Sequence, residues 1–409
     1  RLMLMQTSVF AGGWTVSAAE AVCAGDGVEH WEALDLLTAL VDKSLVAAEP
    51  VGDGTRYRLL ETVRQYAQEC LRGVGGAERM RDRHLAWCIA LAEEAEPQLR
   101  GPEQGAWLTR LETEHDNMRA ALAWGGEAAA GPDSAMRLVG ALWRFWYVRG
   151  HWSEGRGHME VALARDGTGR ETQSRMLGGL GFLVHSLGDS AAGRAYLEQA
   201  VAINRELGNY SKVASNLIGL GFLTFSHGQV AAARSFFEQS LAICREIGDR
   251  SNELINLNGL GNIACEQGEV EAARSHFVQA LTISREIGER RGEAGNLSNL
   301  GNIARDLGES AAARSWYQQS LTITREIGER WIEAANLNGL GSVAYGQGNC
   351  AEARIHVEQS LAITREIGDR SKEVWNLSDL GQISRLEGDL VEARVFCVQS
   401  LTLANQLGE

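Results

Sequence analysis

Apolar residues in the second half of the chain recur at helical spacing, within a pattern that repeats every forty residues. In one copy, residues 251–288, a single apolar stripe is formed by Leu254, Leu257, Leu260 and Ile263. Such a stripe predicts a helix with one buried face. It ends at Gly268, a residue type that suits a left-handed helix cap. A second apolar stretch predicts a second helix that closes at Gly288.

The forty-residue period holds without a slip through residues 174–409. A Leu-Gly pair marks the first helix of each copy, at Leu180-Gly181, Leu220-Gly221, Leu260-Gly261, Leu300-Gly301, Leu340-Gly341 and Leu380-Gly381. Further glycines are expected to close the first helices at Gly188, Gly228, Gly268, Gly308, Gly348 and Gly388, and the second helices at Gly208, Gly248, Gly288, Gly328, Gly368 and Gly408. A fixed period in this range is typical of stacked helical hairpins, whose long shared surface favours a binding function.

Small and large residues alternate in a fixed order within each copy. An alanine or glycine stands twelve residues after the Leu-Gly glycine, and a larger residue follows four positions later, at Leu197, Phe237, Phe277, Tyr317, Val357 and Cys397. This spacing resembles the tetratricopeptide repeat, although the period is forty where the common form has about thirty-four residues, and Arg-Glu-Ile-Gly replaces a late proline. Longer helices explain both departures. The resemblance implies an all-α fold, a right-handed superhelix of six repeats.

Three polar columns follow the same period. The second helices open with Asp189, Gln229, Glu269, Glu309, Asn349 and Asp389, which favour the positive end of a helix dipole. An asparagine column is so regular that it predicts a structural hydrogen bond between adjacent repeats, at Asn216, Asn256, Asn296, Asn336 and Asn376. An arginine column, with Arg-Glu pairs at 245–246, 285–286, 325–326 and 365–366, predicts a solvated, salt-bridged face without a ligand, at Arg194, Arg234, Arg274, Arg314, Arg354 and Arg394.

In tetratricopeptide domains the first helix of each hairpin lines a concave groove. The resemblance implies that this groove binds a protein or peptide ligand through Phe222, Phe225, Asn258, Asn262, Asn302, Arg305, Asn338, Tyr345, Gln382 and Arg385. Asparagine offers both a donor and an acceptor, so these side chains can pair with an extended peptide backbone. The alternative is that the polar positions are merely solvated and that the phenylalanines pack beneath the preceding repeat.

The front of the chain, residues 1–78, has a different pattern. Short helices are predicted at Ala18–Cys23 and Trp31–Leu40, strands at Ser44–Ala48 and Thr55–Leu59 around the hairpin Val51–Gly54, and a closing helix at Leu60–Leu71. Two helices followed by a strand hairpin indicate a winged helix. The strings SVFAGGW, LVDKSLV and YRLLETVRQYA resemble the winged-helix segment that follows the nucleotide-binding, NB-ARC-like domain of STAND signal-transduction ATPases.

Helices also connect the winged helix to the repeats. Residues 79–132 are predicted as a helical linker, with helices near Met80–Ala95 and Ala106–Ala123. Residues 133–173 are interpreted as a degenerate capping repeat, because Gly150 and Arg156 stand thirty-eight residues before Gly188 and Arg194. Terminal repeats of a solenoid are expected to be atypical.

Charge and hydropathy argue against nucleic acid and membrane partners. The formal net charge is -14, whereas binding to a phosphate backbone depends on lysine and arginine. Between Trp14 and Lys43 the only permanent cation is Lys43. The same segment contains six acidic residues, Glu20, Asp26, Glu29, Glu32, Asp35 and Asp42. No direct binding of nucleic acid is therefore expected. No apolar stretch of about eighteen residues and no signal-peptide cleavage pattern occurs, so a cytoplasmic location is expected.

The sequence contains no constellation typical of an enzyme. No Gly-x-x-x-x-Gly-Lys-Ser/Thr loop occurs, and Gly-Leu-Gly recurs only within repeat helices. No metal-ligand spacing is present, and seven scattered cysteines indicate reduced thiols that pack as small apolar residues. The chain is predicted to be non-catalytic, with no cofactor and no metal of its own. ATP is expected only in a domain upstream of Arg1.

The resemblance implies the sensor and transmission half of a bacterial STAND-type regulator of transcription. A ligand in the groove would shift the repeats against the winged helix and release an upstream nucleotide-binding domain for oligomeric assembly. The alternative is a freestanding tetratricopeptide scaffold with no ATPase switch. A phosphate-binding loop encoded upstream of Arg1 would favour the switch, and a start codon just before Arg1 would favour the scaffold.

Overall fold

The computed structural model describes residues 1–25, 27–51, 54–99, 103–126, 132–164 and 169–407. The chain forms two compact units, Arg1–Asn209 and Tyr210–Glu409. Parts of five predicted features lie outside the described residues, namely Asp26 of the acidic set, positions 52–53 at the hairpin tip, positions 100–102 and 127–131 of the helical linker, positions 165–168 of the predicted capping repeat and the closing Gly408.

The first unit begins with the winged helix. Its elements are α1 (Leu2–Gln6), β1 (Trp14–Thr15), α2 (Val16–Cys23), α3 (Ala33–Asp42), β2 (Val46–Val51), β3 (Gly54–Leu59) and α4 (Glu61–Gly73). The strands form an antiparallel sheet in the order β1-β3-β2. The predicted helices and strand hairpin are confirmed with shifted ends. Elements α1 and β1 carry no sequence signal, because they are only five and two residues long.

Three helices then continue the first unit, α5 (Ala77–Gln98), α6 (Gln104–Thr113) and α7 (His115–Gly125). The prediction of one continuous helix over Ala106–Ala123 is wrong, because the chain breaks at Glu114, where φ is -96° and ψ is 6°. The Glu114 carboxylate accepts hydrogen bonds from Arg56 of β3 and from Asn117, each at 2.6 Å. The bond from Arg56 thus connects the break between α6 and α7 to the winged helix.

Asn117 ties α7 to the winged helix through hydrogen bonds to its backbone. Its Oδ1 accepts from the Ala11 amide at 2.8 Å, and its Nδ2 donates to the Gly13 carbonyl at 2.8 Å. The side chain is fully buried. A buried amide with both ends satisfied fixes one arrangement, because an unpaired buried polar group is costly.

Two hairpins complete the first unit. The segment predicted as a capping repeat contains α8 (Pro132–Arg149) and α9 (Trp152–Leu163), and the first full repeat comprises α10 (Arg170–Ser186) and α11 (Ser190–Glu206). Gly150 has a φ of 80°, as expected of a helix-closing glycine. Arg156 binds Glu160 at 2.8 Å within α9, as Arg194 binds Glu198 at 2.8 Å within α11. Gly150 and Arg156 thus resemble Gly188 and Arg194 in backbone conformation and in ion pairing.

The second unit consists of five further hairpins. Their helices are α12 (Tyr210–Ser226), α13 (Val230–Ile247), α14 (Arg250–Glu266), α15 (Val270–Ile287), α16 (Arg290–Asp306), α17 (Ser310–Ile327), α18 (Arg330–Gly346), α19 (Cys350–Ile367), α20 (Arg370–Glu387) and α21 (Leu390–Leu407). Every expected closing glycine within the described residues has a positive φ, between 68° and 94°. Glycine adopts this left-handed conformation without the steric cost that a side chain imposes.

Glycines in the first helices make room for the large residue of the second helix. A Cβ atom built on Gly261 would lie 2.6 Å from Cε1 of Phe277 in its own hairpin. One built on Gly259 would lie 2.7 Å from Cζ of Phe237 in the preceding hairpin. Gly301 and Gly339 hold Tyr317 in the same way. The small and large positions read from the sequence are thus in direct contact.

Polar columns join successive hairpins of the second unit. Four of the five residues of the asparagine column are buried. Three of these donate to the second helix of the preceding hairpin, Asn256 to Ser240 at 2.9 Å, Asn336 to Ser320 at 2.7 Å and Asn376 to Thr364 at 3.4 Å. Asn296 instead donates to Gly292 of its own helix. The prediction of a bond between repeats is confirmed at the first three of these positions.

The arginine column also reaches the next hairpin. Arg234 binds Glu269 at 2.7 Å and Arg274 binds Glu309 at 2.9 Å. A long glutamate side chain just before a second helix therefore forms an ion pair with the preceding hairpin. The shorter Asp189 and Asn349 instead accept a backbone amide of their own helix. The predicted salt-bridged face is confirmed, and the length of the side chain decides which bond forms.

Candidate functional site

The first helices of four successive repeats enclose the main candidate site, a cavity of about 430 Å³ in the second unit. Helices α14, α16, α18 and α20 supply most of its wall. Four of the ten residues predicted to bind a ligand line it, namely Asn262, Asn302, Arg305 and Asn338. Because the repeats present equivalent positions side by side, residues forty apart in the sequence become neighbours in the wall.

Amide side chains dominate the polar lining of this cavity. Five asparagines contribute, namely Asn262, Asn299, Asn302, Asn338 and Asn376. Oδ1 of Asn302 accepts from the Tyr317 hydroxyl at 2.7 Å. Nδ2 of Asn338 donates to Oδ1 of Asn376 at 3.0 Å and to Asp379 at 2.7 Å. These bonds orient the amides and leave a wall that carries both donors and acceptors.

Charged and aromatic side chains flank the amides at one end. Lys372 lies with its Nζ 3.0 Å from the centre of the Trp331 ring, a cation–π contact. Burial lowers the pKa of Lys372 to about 8, against the opposing attraction of Asp369. Trp375 lines the same cavity with 68% of its surface exposed. In α16, Arg305 binds Asp306 at 2.9 Å.

The sequence does not predict Lys372 and Trp375 as site residues. Both lie nearer the start of their helix than the positions that line the groove in tetratricopeptide domains. A signal was nevertheless present. Position 375 is a tryptophan where the other five repeats carry Arg175, Ser215, Ile255, Gly295 and Ala335. The residue type at this position changes from repeat to repeat, so repeat packing does not require the tryptophan.

The remaining predicted residues lie outside this cavity. Tyr345 and Gln382 line a smaller cavity of about 170 Å³, together with Asp379. Burial raises the pKa of Asp379, although the hydrogen bond from Asn338 opposes the shift. Arg385 is exposed and lines neither cavity.

The apolar end of the predicted groove has a partly structural role. The Phe222 ring is 44% exposed and stands edge-on to Phe237, with ring centres 5.1 Å apart. Phe225 is half-buried and packs against the core of its hairpins. Asn258 is half-buried too, and its Oδ1 is enclosed without a hydrogen-bond partner. Phe225 therefore packs with its own and the following hairpin, whereas Phe222 keeps an accessible face.

Across the described residues, no helix is both long and apolar enough to span a lipid bilayer.

Known families match both parts of the chain. The tetratricopeptide repeat family matches residues 172–246, 253–326 and 332–406. The winged helix-turn-helix domain family matches residues 1–72. A Mycobacterium tuberculosis protein provisionally named an HTH-type transcriptional regulator is 35% identical over 218 residues, which cover 51% of this chain and 24% of that protein. The chain thus spans about a quarter of the length of the curated relative.

Solved structures share the fold at low sequence identity. The STAND protein with a tetratricopeptide repeat sensor from Pyrococcus horikoshii gives a TM-score of 0.61 at 12% identity, covering 99% of this chain and 63% of that one. The apo form of the quorum sensor NprR from Bacillus thuringiensis gives 0.62 at 14% identity, covering 90% and 96%. The matched repeat segments fall on the helical hairpins described above and account for more than half of the sequence, so the chain belongs to the tetratricopeptide repeat family.

Proposed function

We propose that the chain is a non-catalytic sensor and scaffold module that binds a peptide or protein partner along the first helices of its repeats. The observation that carries this proposal is the amide-lined cavity of about 430 Å³. Asn338 and Asn376 bind each other, whereas Asn262, Asn299 and the Nδ2 group of Asn302 are not used in the bonds described above. Their donors and acceptors match the alternating groups of an extended peptide backbone. Such a wall can bind a main chain without reading its side chains.

The flanking residues would supply specificity. Lys372 and Arg305, the latter paired with Asp306, place two cations on the cavity wall, and Trp375 offers an exposed aromatic face. An acidic side chain or a terminal carboxylate of the ligand would pair with the cations, and an apolar side chain would pack on the tryptophan. The proposed ligand is therefore an extended peptide segment with acidic and apolar groups.

The wider context is proposed from the winged helix. A winged helix followed by tetratricopeptide repeats, the likeness to a STAND protein with a repeat sensor and the mycobacterial relative support a STAND-type, NB-ARC-containing regulator of transcription. An upstream domain would then bind ATP, and ligand binding would release it for oligomeric assembly. Such coupling requires that the ligand binds the two states with different affinity.

The second candidate is a freestanding scaffold without an ATPase switch. The reading frame that encodes the chain separates the two. A phosphate-binding loop encoded upstream of Arg1 supports the switch, and a start codon immediately before Arg1 supports the scaffold. The peptide-binding proposal is common to both candidates.

The groove is tested by comparing ligand capture by two variants of the full chain. The first replaces Asn262, Asn302 and Arg305 with alanine, and bound peptides and proteins from cell extract are quantified by mass spectrometry. We expect this variant to lose the specific partner, because the amide and cation contacts vanish together. A synthetic peptide from the captured partner then gives the change in Kd by calorimetry.

The matched control replaces Gln239, Gln279 and Gln319 with alanine. These glutamines are exposed on the second helices, outside the cavity lining, so the control removes three polar side chains without touching the proposed wall. Capture should stay at the wild-type level. Equal capture by wild type and the groove variant would refute the assignment of the groove.

A further inference from the structure

Three side chains of metal-binding type converge in the first unit, where the linker helices meet the capping repeat. Glu112 lies in α6, His115 opens α7, and His151 directly precedes α9. One potential ligand atom from each lies within 4.8 Å of the others. We propose that Glu112, His115 and His151 bind a divalent transition-metal ion of the zinc class.

The donor set and the spacing suit such an ion. Two imidazole nitrogens and one carboxylate oxygen form a common zinc ligand set, with bonds of about 2.0 to 2.2 Å. Ligand atoms around a tetrahedral ion with such bonds stand roughly 3.4 Å apart. Nε2 of His151 already lies 3.2 Å from Oε1 of Glu112. Both side chains are partly exposed, so they can close on the ion while the buried His115 stays in place.

The surroundings hold the histidine rings in position. Phe145 packs against both rings, with centres 5.1 Å from His115 and 5.6 Å from His151. Glu154 lies 3.1 Å from Nε2 of His115 and is itself bound by Arg119 at 2.7 Å. Proteins usually orient a metal-binding histidine by a carboxylate that accepts a hydrogen bond from its second ring nitrogen, and an apolar shell limits access of solvent.

One cation competes for the site. Nε of Arg149 lies 3.6 Å from Oε2 of Glu112. Its side chain is 35% exposed, so it can turn toward solvent when a divalent ion takes the carboxylate. An exposed ion pair of this kind contributes little energy, and a divalent ion bound by two imidazoles would replace it.

A bound ion would cross-link three segments of the first unit. It would join the end of α6 and the start of α7 to the turn between α8 and α9. Because these ligands come together only in the folded chain, binding would stabilise the native state. Spacing in the sequence does not reveal the site, since His151 stands thirty-six residues after His115.

The test uses the full chain with any affinity tag removed. Zn²⁺ binding is measured by calorimetry, and Co²⁺ binding by its visible absorption bands, which report tetrahedral coordination. We expect one equivalent to bind and the melting temperature to rise with Zn²⁺. The variants His151→Gln and Glu112→Gln should each weaken binding about tenfold or more, and circular dichroism confirms that they fold.

The matched control is His356→Gln in the second unit. Nε2 of His356 lies 3.7 Å from Oε1 of Glu352, a histidine–glutamate pair outside the proposed ligand set. This variant should bind Zn²⁺ as tightly as wild type. The proposal is overturned if the wild-type chain binds no stoichiometric ion, or if His151→Gln and Glu112→Gln bind it with unchanged affinity.

Discussion

At the scale of single residues, glycine has two distinct uses in the repeats. Gly261 lies in a helix, where an added Cβ would stand 2.6 Å from the Phe277 ring. Gly295 also lies in a helix, in the next repeat, but nothing within 4 Å would meet its Cβ. The first glycine is required by packing, whereas the second only lowers helix propensity.

Alanine should therefore have opposite effects at these two positions. We expect Gly261→Ala to destabilise its hairpin by about 2 kcal/mol, because Phe277 is fully buried and must shift. Gly295→Ala should stabilise α16 by about 0.5 to 1 kcal/mol, because alanine loses less backbone entropy. Hydrogen exchange of the α14 and α16 amides measures both effects. A stabilising Gly261→Ala would contradict the packing argument.

The sequence predicts residue roles only where they repeat. The aromatic at Phe277 and the column at Asn256 and Asn336 recur every forty residues, so their packing and hydrogen bonds follow from the pattern. Lys372 and Trp375 stand at positions that vary from repeat to repeat, and their place in the cavity wall emerges only from the stacking of helices. The Glu112, His115 and His151 cluster has no period at all, and only folding brings it together.

At the scale of helices and hairpins, charged side chains form a repeated clamp between successive hairpins. Glu293 is buried, and its carboxylate binds Arg285 of α15 at 2.9 Å and Arg290 of its own helix at 2.8 Å. Arg290 also binds Glu326 of the next second helix at 2.5 Å. Glu253 and Glu333 repeat this arrangement. The Arg-Glu pairs of the sequence thus bind partners in adjacent helices.

Removing the buried charge should loosen one junction between hairpins. We expect Glu293→Gln to destabilise the junction of α15 and α16 by about 1 kcal/mol, since both arginines lose a charged acceptor but stay half in solvent. The effect should shrink in about 1 M salt, where the Debye length is about 3 Å. Hydrogen exchange of the two helices reports the loss.

Glu246→Gln is the matched control for this clamp. Glu246 is exposed near the end of α13, and its loss should leave exchange rates unchanged. An equal effect of both substitutions would show that overall charge, and not the clamp, sets the stability of the junction.

Local order along the helices explains which elements the sequence predicts well. Apolar stripes and closing glycines mark each repeat helix. The residues that pack the helix and the residue that ends it therefore both follow from the local sequence. The break between α6 and α7 escapes prediction, because it depends on Arg56, which lies fifty-eight residues before Glu114 in the sequence. A contact between distant segments overrides local helix propensity at this point.

At the scale of the whole molecule, the charge of -14 and its distribution in the winged helix bear on the choice of partner. Helix α3 contains Asp35 and Asp42 and neither lysine nor arginine. The arginines of β3 are engaged, Arg56 with Glu114 at 2.6 Å and Arg58 with Glu49 at 2.7 Å. Sequence-specific binding of DNA needs cations that neutralise phosphates and read base edges.

The winged helix is accordingly expected to act as a protein contact and not as a DNA reader. Electrophoretic mobility of labelled duplex DNA should be unchanged by the purified chain at low salt, where electrostatic binding is strongest. The charge-reversal variant Asp35→Lys with Asp42→Lys is the informative comparison, because both changes place cations on α3. Weak, salt-sensitive binding gained by this variant alone would show that acidic charge blocks the DNA-binding role of the fold. If the wild-type chain retards the DNA and the Lys43→Ala variant does not, one exposed cation is sufficient for DNA binding. The electrostatic argument against DNA binding would then fail.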